Sequence, residues 1–191
     1  PNIVYIMVDD MGYGDTGCYN PKSKILTPNI DSLANAGMRF TDAHSPGALC
    51  HPSRYGLLTG QHPFRANVES WRTRAVIRNG QTTIASLLQS NGYRTAMVGK
   101  WHLGWRWPKK SGGVTEKLAQ IDFTKPIKGG PNSHGFDYYF GDDVPNFPPR
   151  CFIENDHTVG IPSVDRPKGM FGHDGPTLAG WGLVLVLPTR A

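Results

Sequence analysis

Residues 3–8, Ile3-Val4-Tyr5-Ile6-Met7-Val8, form an unbroken apolar run that ends on Asp9 and Asp10. A short run without alternation predicts a strand buried on both faces, here with two acids at its C-terminal mouth. A glycine-punctuated loop, Met11-Gly12-Tyr13-Gly14-Asp15, follows it. Thr27 and Pro28 then open a short helix with an apolar stripe of Ile30, Leu33 and Ala34, and Gly37 ends it. Residues 38–43 predict a second strand, so the order strand, helix, strand predicts a right-handed crossover into a parallel sheet. The pattern returns where Thr82 or Thr83 caps a helix carrying Ile84, Leu87 and Leu88, Gly92 closes it, and residues 93–98 make a strand.

This alternation predicts an α/β fold, a mostly parallel sheet flanked by helices. In such sheets ligands collect outside the carboxyl ends of the strands. Asp9 and Asp10 fall at one such end, and Gly99-Lys100-Trp101-His102-Leu103-Gly104 begins at another, so the two polar clusters are expected to share a site. Beyond Lys109 the periodicity fades into connections such as Lys128-Gly129-Gly130-Pro131-Asn132, with no internal repeat and no domain boundary. Residues 1–191 are therefore read as one unit. The late run Leu183 to Leu187 is either a buried strand or, without partner strands, an aggregation-prone window.

Composition narrows the function classes. The 23 glycines and 16 prolines are dispersed between periodic segments, which marks a loop-rich folded chain and not a disordered one. The net charge of +5 comes from scattered Lys and Arg with no basic stripe, which argues against a nucleic-acid partner and for an anionic small substrate. No run approaches the roughly 20 apolar residues that span a bilayer. Residues 1–8 contain no basic region followed by a signal-peptide core. Cys18, Cys50 and Cys151 make neither a disulfide framework nor a zinc-type pair.

The most specific segment is Cys50-His51-Pro52-Ser53-Arg54-Tyr55-Gly56-Leu57-Leu58-Thr59-Gly60. It resembles the type I sulfatase family, whose signature CxPSRxxLLTG it matches at every fixed position. The acid pair after the first strand, the GKWHLG segment and His134-Gly135-Phe136-Asp137-Tyr138-Tyr139-Phe140-Gly141 resemble the same family. The last of these reads as aromatic packing.

The resemblance implies hydrolysis of sulfate esters. It assigns Cys50 as the residue oxidised before folding, by a formylglycine-generating enzyme, to formylglycine, whose hydrate supplies the nucleophilic oxygen. A gem-diol keeps a second hydroxyl whose deprotonation expels sulfate, which a plain serine ester lacks. It further implies that Asp9 and Asp10, with the modified Cys50, ligate a divalent cation. Oxygen ligands suit Ca²⁺, with Mg²⁺ as the alternative. Arg54 is expected to hydrogen-bond the diol or the metal-bound face, Lys100 to bind sulfate, and His102 to contact the diol and act as the base. His51, at the variable position beside the nucleophile, is a candidate substrate contact. The substrate is then a sulfated small molecule or carbohydrate, and the location extracytoplasmic, either periplasmic or secreted.

Two other readings stay open on the residues alone. One is a phosphatase or phosphonate monoester hydrolase of the same alkaline-phosphatase-like superfamily; the other is a truncated, non-catalytic fragment. The acidic residue, the Asn and the further Lys and His that complete the family's site are not found after Gly104. Asn155-Asp156-His157 and His173-Asp174-Gly175 come nearest, and each reads as a turn. The resemblance therefore covers the N-terminal part of a sulfatase catalytic domain, and the 191-residue chain by itself is expected to be inactive.

Overall fold

The structure, a computed structural model, describes residues 1–145 and 147–162 and the backbone of 183–187. The first apolar run is β1 (Ile3–Met7), and the Thr27–Pro28 signal opens α1 (Pro28–Ala36). The cysteine segment is α2 (Cys50–Thr59), and Thr83 caps α3 (Ile84–Ser90). There follow β2 (Ala96–Val98), β3 (Trp107–Pro108), β4 (Val114–Thr115), β5 (Tyr138–Gly141), β6 (Ile153–Glu154), β7 (His157–Thr158) and β8 (Leu183–Leu187).

Six strands make one sheet in the order β1-β8-β2-β5-β6-β7, and β3 pairs with β4 separately. β2 and β5 pair in parallel, and β8 lies antiparallel to both β1 and β2. β1, β2 and β5 therefore run in one direction, and their carboxyl ends share one edge of the sheet. The α/β class holds, but the sheet is not mostly parallel as expected: among its described strands β2–β5 is the one parallel pairing and the other four are antiparallel. The run at residues 183–187 has partner strands on both sides, which satisfies the backbone groups that an unpaired strand would leave open. The Asn155–Asp156 turn joins β6 to β7, whereas His173-Asp174-Gly175 lies outside the described residues.

Two further expectations need correction. Residues 38–43 form no strand: the place beside β1 is taken by β8, and Met38 and Phe40 stay exposed. A β-prone pattern becomes a strand only when a neighbouring edge is free to pair with it. Nor is β1 buried on both faces, because Val4 and Ile6 are 58% and 59% exposed. Its sequence supplies apolar area for two covering layers, but the stripe of α1 does not provide one, and Leu33 remains exposed as well.

The packed core lies around α2, α3, β2 and β5, with Tyr55, Leu58, Ile77, Met97, Trp101, Leu103, Phe136 and Tyr139 among its buried members. Thr83 and Ser86 exchange capping bonds at the start of α3: the Ser86 amide donates to Thr83 Oγ1 at 3.0 Å and the Thr83 amide donates to Ser86 Oγ at 2.8 Å. At Gly135, with φ of +96°, an added Cβ would lie 2.3 Å from the Ser86 nitrogen. Only glycine lets this loop press against α3. Asp137 accepts from the Thr95 amide at 2.8 Å and from Gln89 Nε2 at 2.7 Å, tying the start of β5 to α3 and the entry of β2. The His134–Gly141 segment therefore packs the sheet, as its aromatic character suggests. No helix among the described residues is long and apolar enough to cross a membrane.

Candidate active site

Three segments far apart in sequence meet at the carboxyl edge of the sheet. Asp9 stands past the end of β1, Cys50 opens α2, and Lys100 follows β2. Lys100 Nζ donates to Asp9 Oδ2 at 2.9 Å and lies 3.2 Å from Cys50 Sγ, which is itself 3.3 Å from Asp9 Oδ1. Adjacent residues of a regular strand point to opposite faces, so Asp9 and Asp10 can converge only where the backbone turns. It does turn, because Asp10 has a φ of +56°. One ligand atom each from Asp9, Asp10 and Cys50 then lie within 4.8 Å of one another.

The signature segment divides its labour along α2. Cys50 and Arg54, one turn apart, face Asp9. Ser53 instead anchors the incoming loop, its hydroxyl donating to the Gly47 carbonyl at 2.7 Å and lying 2.6 Å from Ser45 Oγ. Tyr55 and Leu58 enter the core. Gly60 ends the helix at φ +64°, with its amide bonded to the Gly56 carbonyl at 2.9 Å. Cys50 is therefore the first residue of a helix whose positive end favours an anion beside it.

The Lys100–His102 loop is clamped to the loop after β5. The Trp101 amide donates to the Asp142 carbonyl at 2.9 Å and the His102 amide to the Asp143 carbonyl at 3.1 Å. Asp10, Leu49 and His102 have φ values of +56°, +71° and +56°. Each such non-glycine residue costs about 1 kcal/mol or more, held by the surrounding structure. Backbone strain thus collects beside the three groups that converge.

Burial acts on Asp9 to raise its pKa, but the hydrogen bond and charge of Lys100, with the Arg54 guanidinium, outweigh it and hold the carboxyl below its ordinary range. Burial, reinforced by Lys100, His51 and Arg54, drops His102 to about 3. Neither of its ring nitrogens has a partner among the described residues. Burial, reinforced by the neighbouring Asp142 charge, lifts Asp143 to about 7. For His102 the unfolded chain binds more protons than the native one between about 3 and its ordinary 6.5, so its contribution to stability is present above pH 6.5 and lost as pH falls through that window. Asp143 acts oppositely: its contribution is full below its ordinary 3.8 and is lost as pH rises through about 7. The His102 imidazole should accordingly remain neutral from pH 5 to 8, with no shift of its ring protons in an NMR titration. A titration midpoint near its ordinary 6.5 would show that the ring is solvated.

A cavity of ≈ 530 Å³ opens beside Cys50, bounded by His51, His102, Trp71 and Phe147 with Glu69 and Arg72 at its side. His51 is buried, with Nε2 at 3.0 Å from Glu69 Oε1, and its ring lies 5.1 Å from that of His102. Trp71 meets His102 edge-on at 4.2 Å, and the Arg72 guanidinium lies 4.2 Å over Phe147. All seven residues expected at the site, Asp9, Asp10, Cys50, His51, Arg54, Lys100 and His102, belong to this region. Phe147 and the half-buried pair Asp142 and Asp143 were not anticipated. The acid pair had a readable signal, for it follows an apolar strand as Asp9 and Asp10 do; Phe147 comes from a loop and had none.

Several known proteins are similar to this chain. The sulfatase family model matches residues 1–159. An N-acetylgalactosamine-6-O-sulfatase of Bacteroides thetaiotaomicron is 41% identical over 186 residues, which is 93% of this chain and 34% of that protein. Human steryl-sulfatase is 38% identical over 76% of the chain and 24% of its own length, and human arylsulfatase A 49% identical over 54% of the chain and 21% of its own. A solved structure from work on the metabolism of multiple glycosaminoglycans by Bacteroides thetaiotaomicron superposes with a TM-score of 0.67 at 39% identity, covering 80% of this chain and 30% of that one. The chain thus spans about a third or less of the relatives it matches. Since the family model covers most of the sequence and a relative 41% identical aligns with nearly all of it, this chain belongs to the sulfatase family.

Proposed function

We propose that the chain carries the nucleophile half of a sulfate ester hydrolase, with Cys50 converted to formylglycine by a dedicated modifying enzyme. The observation that supports this most directly is the placement of Cys50 Sγ 3.3 Å from Asp9 and 3.2 Å from Lys100 at the start of α2. A formylglycine here supplies, once hydrated, a nucleophilic hydroxyl. Asp9, Asp10 and that modified side chain would hold a divalent cation. The donor chemistry fits, because the set is carboxylate and hydroxyl oxygen, which suits Ca²⁺ or Mg²⁺.

The chain's own residues then have separable tasks. The Lys100 ammonium, already balanced by Asp9, offsets negative charge on a sulfuryl group beside Cys50. Arg54 positions Asp9 and the Lys100 backbone from behind. His102 is the proposed base: it lines the cavity beside Cys50, and its unpartnered ring nitrogens leave it free to accept a proton from the nucleophile's hydroxyl. His51 lines the cavity where the ester's leaving group would lie, a sulfated small molecule or carbohydrate. By the same reading the protein works outside the cytoplasm, as the family resemblance implies.

Calcium takes six to eight oxygen ligands. Residues 1–191 by themselves are therefore expected to bind it weakly and turn over little, since Asp9, Asp10 and Cys50 are the one metal-type cluster among the described residues. The decisive experiment pairs peptide mass spectrometry across residues 47–54 of the natively produced protein with rates of the complete gene product on an aryl sulfate and on the matching aryl phosphate. Formylglycine at Cys50 and preference for the sulfate are expected. Unmodified cysteine throughout defeats the proposal, and preference for the phosphate moves it to the phosphatase reading.

A further inference from the structure

The turn formed by residues 68–72 is a wall common to two cavities. Glu69, Trp71 and Arg72 face the one beside Cys50, while Ser70 lines a second cleft of ≈ 460 Å³. Four arginines, Arg65, Arg74, Arg78 and Arg106, line this second cleft, and no carboxylate does. None of the four forms an ion pair among the described residues. Where two of them are held, the partner is neutral: Arg74 Nε donates to Ser70 Oγ at 3.0 Å and Arg106 Nη2 to Asn79 Oδ1 at 2.8 Å. These contacts orient the guanidinium forks without neutralising them.

The backbone beneath is fixed as well. The Arg74 amide bonds to the Ser70 carbonyl at 3.0 Å, the Val76 amide to the Leu103 carbonyl at 2.9 Å, and Arg106 exchanges backbone bonds with Lys128 at 2.7 and 3.3 Å. Like charges gathered in one cleft repel one another, and an anion relieves that repulsion. Guanidinium forks match the paired oxygens of a tetrahedral oxyanion. The volume is that of a site for a small organic molecule, well beyond what a bare ion fills.

We propose that this cleft is a second anion-binding site, separate from the Cys50 centre, which takes a sulfate-type oxyanion carried on a saccharide unit. It does not depend on turnover at Cys50. The shared chemistry is the oxyanion, and free inorganic sulfate is the other source to be distinguished.

The test is calorimetric titration of the complete gene product, in a Cys50→Ala background that prevents turnover, with inorganic sulfate and with a sulfated oligosaccharide, at low and high salt. Replacing Arg74 and Arg106 together by Gln should weaken oligosaccharide binding about tenfold or more, since each loses a charge-assisted contact. High salt should weaken the parent protein in the same direction. With Cys50 intact, the double variant should hydrolyse a small aryl sulfate as the parent does. Arg78→Gln, at an exposed position, gives an independent variant should the double one fail to fold.

Unchanged oligosaccharide affinity in folded variants overturns the proposal. Loss confined to inorganic sulfate overturns the saccharide assignment and leaves a site for the free ion. Absence of aryl sulfate hydrolysis together with arginine-dependent binding sinks the proposed function and leaves this cleft standing.

Discussion

Cys50→Ala is expected to lower aryl sulfate hydrolysis by the complete gene product about 10⁴-fold or more, the scale on which loss of a covalent nucleophile acts. The substitution removes the group that lies within 3.3 Å of both Asp9 and Lys100, and with it the donor that joins the two carboxylates. Cys50→Ser separates these losses. A serine keeps an oxygen beside Asp9, so cation affinity should exceed that of the alanine variant, whereas turnover should stay low because a serine has one hydroxyl and the proposed hydrate has two. Steady-state rates and calcium titrations of the two variants measure both effects. An alanine variant within about tenfold of the parent removes Cys50 from the chemistry.

Arg54→Ala is expected to cost about 3 kcal/mol of stability, read as a lower urea midpoint with an unchanged slope. Arg54 is 1% exposed, donates Nη1 to the Lys100 carbonyl, and holds Nη2 3.7 Å from Asp9. Truncation leaves a void beneath α2, an unsatisfied carbonyl at Lys100 and an Asp9 with one cation where it had two. Burial already pulls the guanidinium below its ordinary pKa, and Nε and Nη2 lack hydrogen-bond partners among the described residues, so the charge is held at a cost. Arg54→Met should consequently recover much of the stability by refilling the space, and none of the activity. Arg54→Lys should recover neither fully, since an ammonium cannot span the Lys100 carbonyl and Asp9 as the planar fork does. An alanine variant with the parent's midpoint would show that the arginine is not part of the fold's support.

Much of this site was legible because its chemistry sits in short contiguous segments, each at a strand or helix end. The apolar run before Asp9, the eleven residues from Cys50 and the loop after β2 each announce themselves locally. Their meeting was expected only from the rule that ligands gather at the carboxyl edge of a sheet. The structure makes it specific through contacts that bridge 41 and 91 positions of sequence. Asp10 shows the limit of a local rule: neighbours on a strand diverge, and one left-handed φ at the strand's end reverses that. Residues 38–43 and 183–187 show another, for both read as strands, and only pairing partners decided that the second is one and the first is not. The walls of the cavity, Trp71 and Phe147, come from irregular segments whose composition equally suits a core.

If Cys50 is modified as proposed, the burial of α2 sets a clock. His51, Ser53 and Arg54 are closed off in the folded protein, while Leu49 just before them stays exposed. A modifying enzyme that reads this stretch as a linear sequence finds it only while the chain is open. The yield of modified protein then depends on two competing rates, capture of the open chain and closure of the helix against Lys100 and Asp9. Helices form in about a microsecond, so what delays closure is the slower arrival of distant partners, the end of β1 and the loop after β2. A substitution far from the site that speeds their assembly would leave every distance at Cys50 unchanged and still yield a larger share of mature molecules with an ordinary thiol. The modified fraction of a preparation would in this sense report how fast the chain folds.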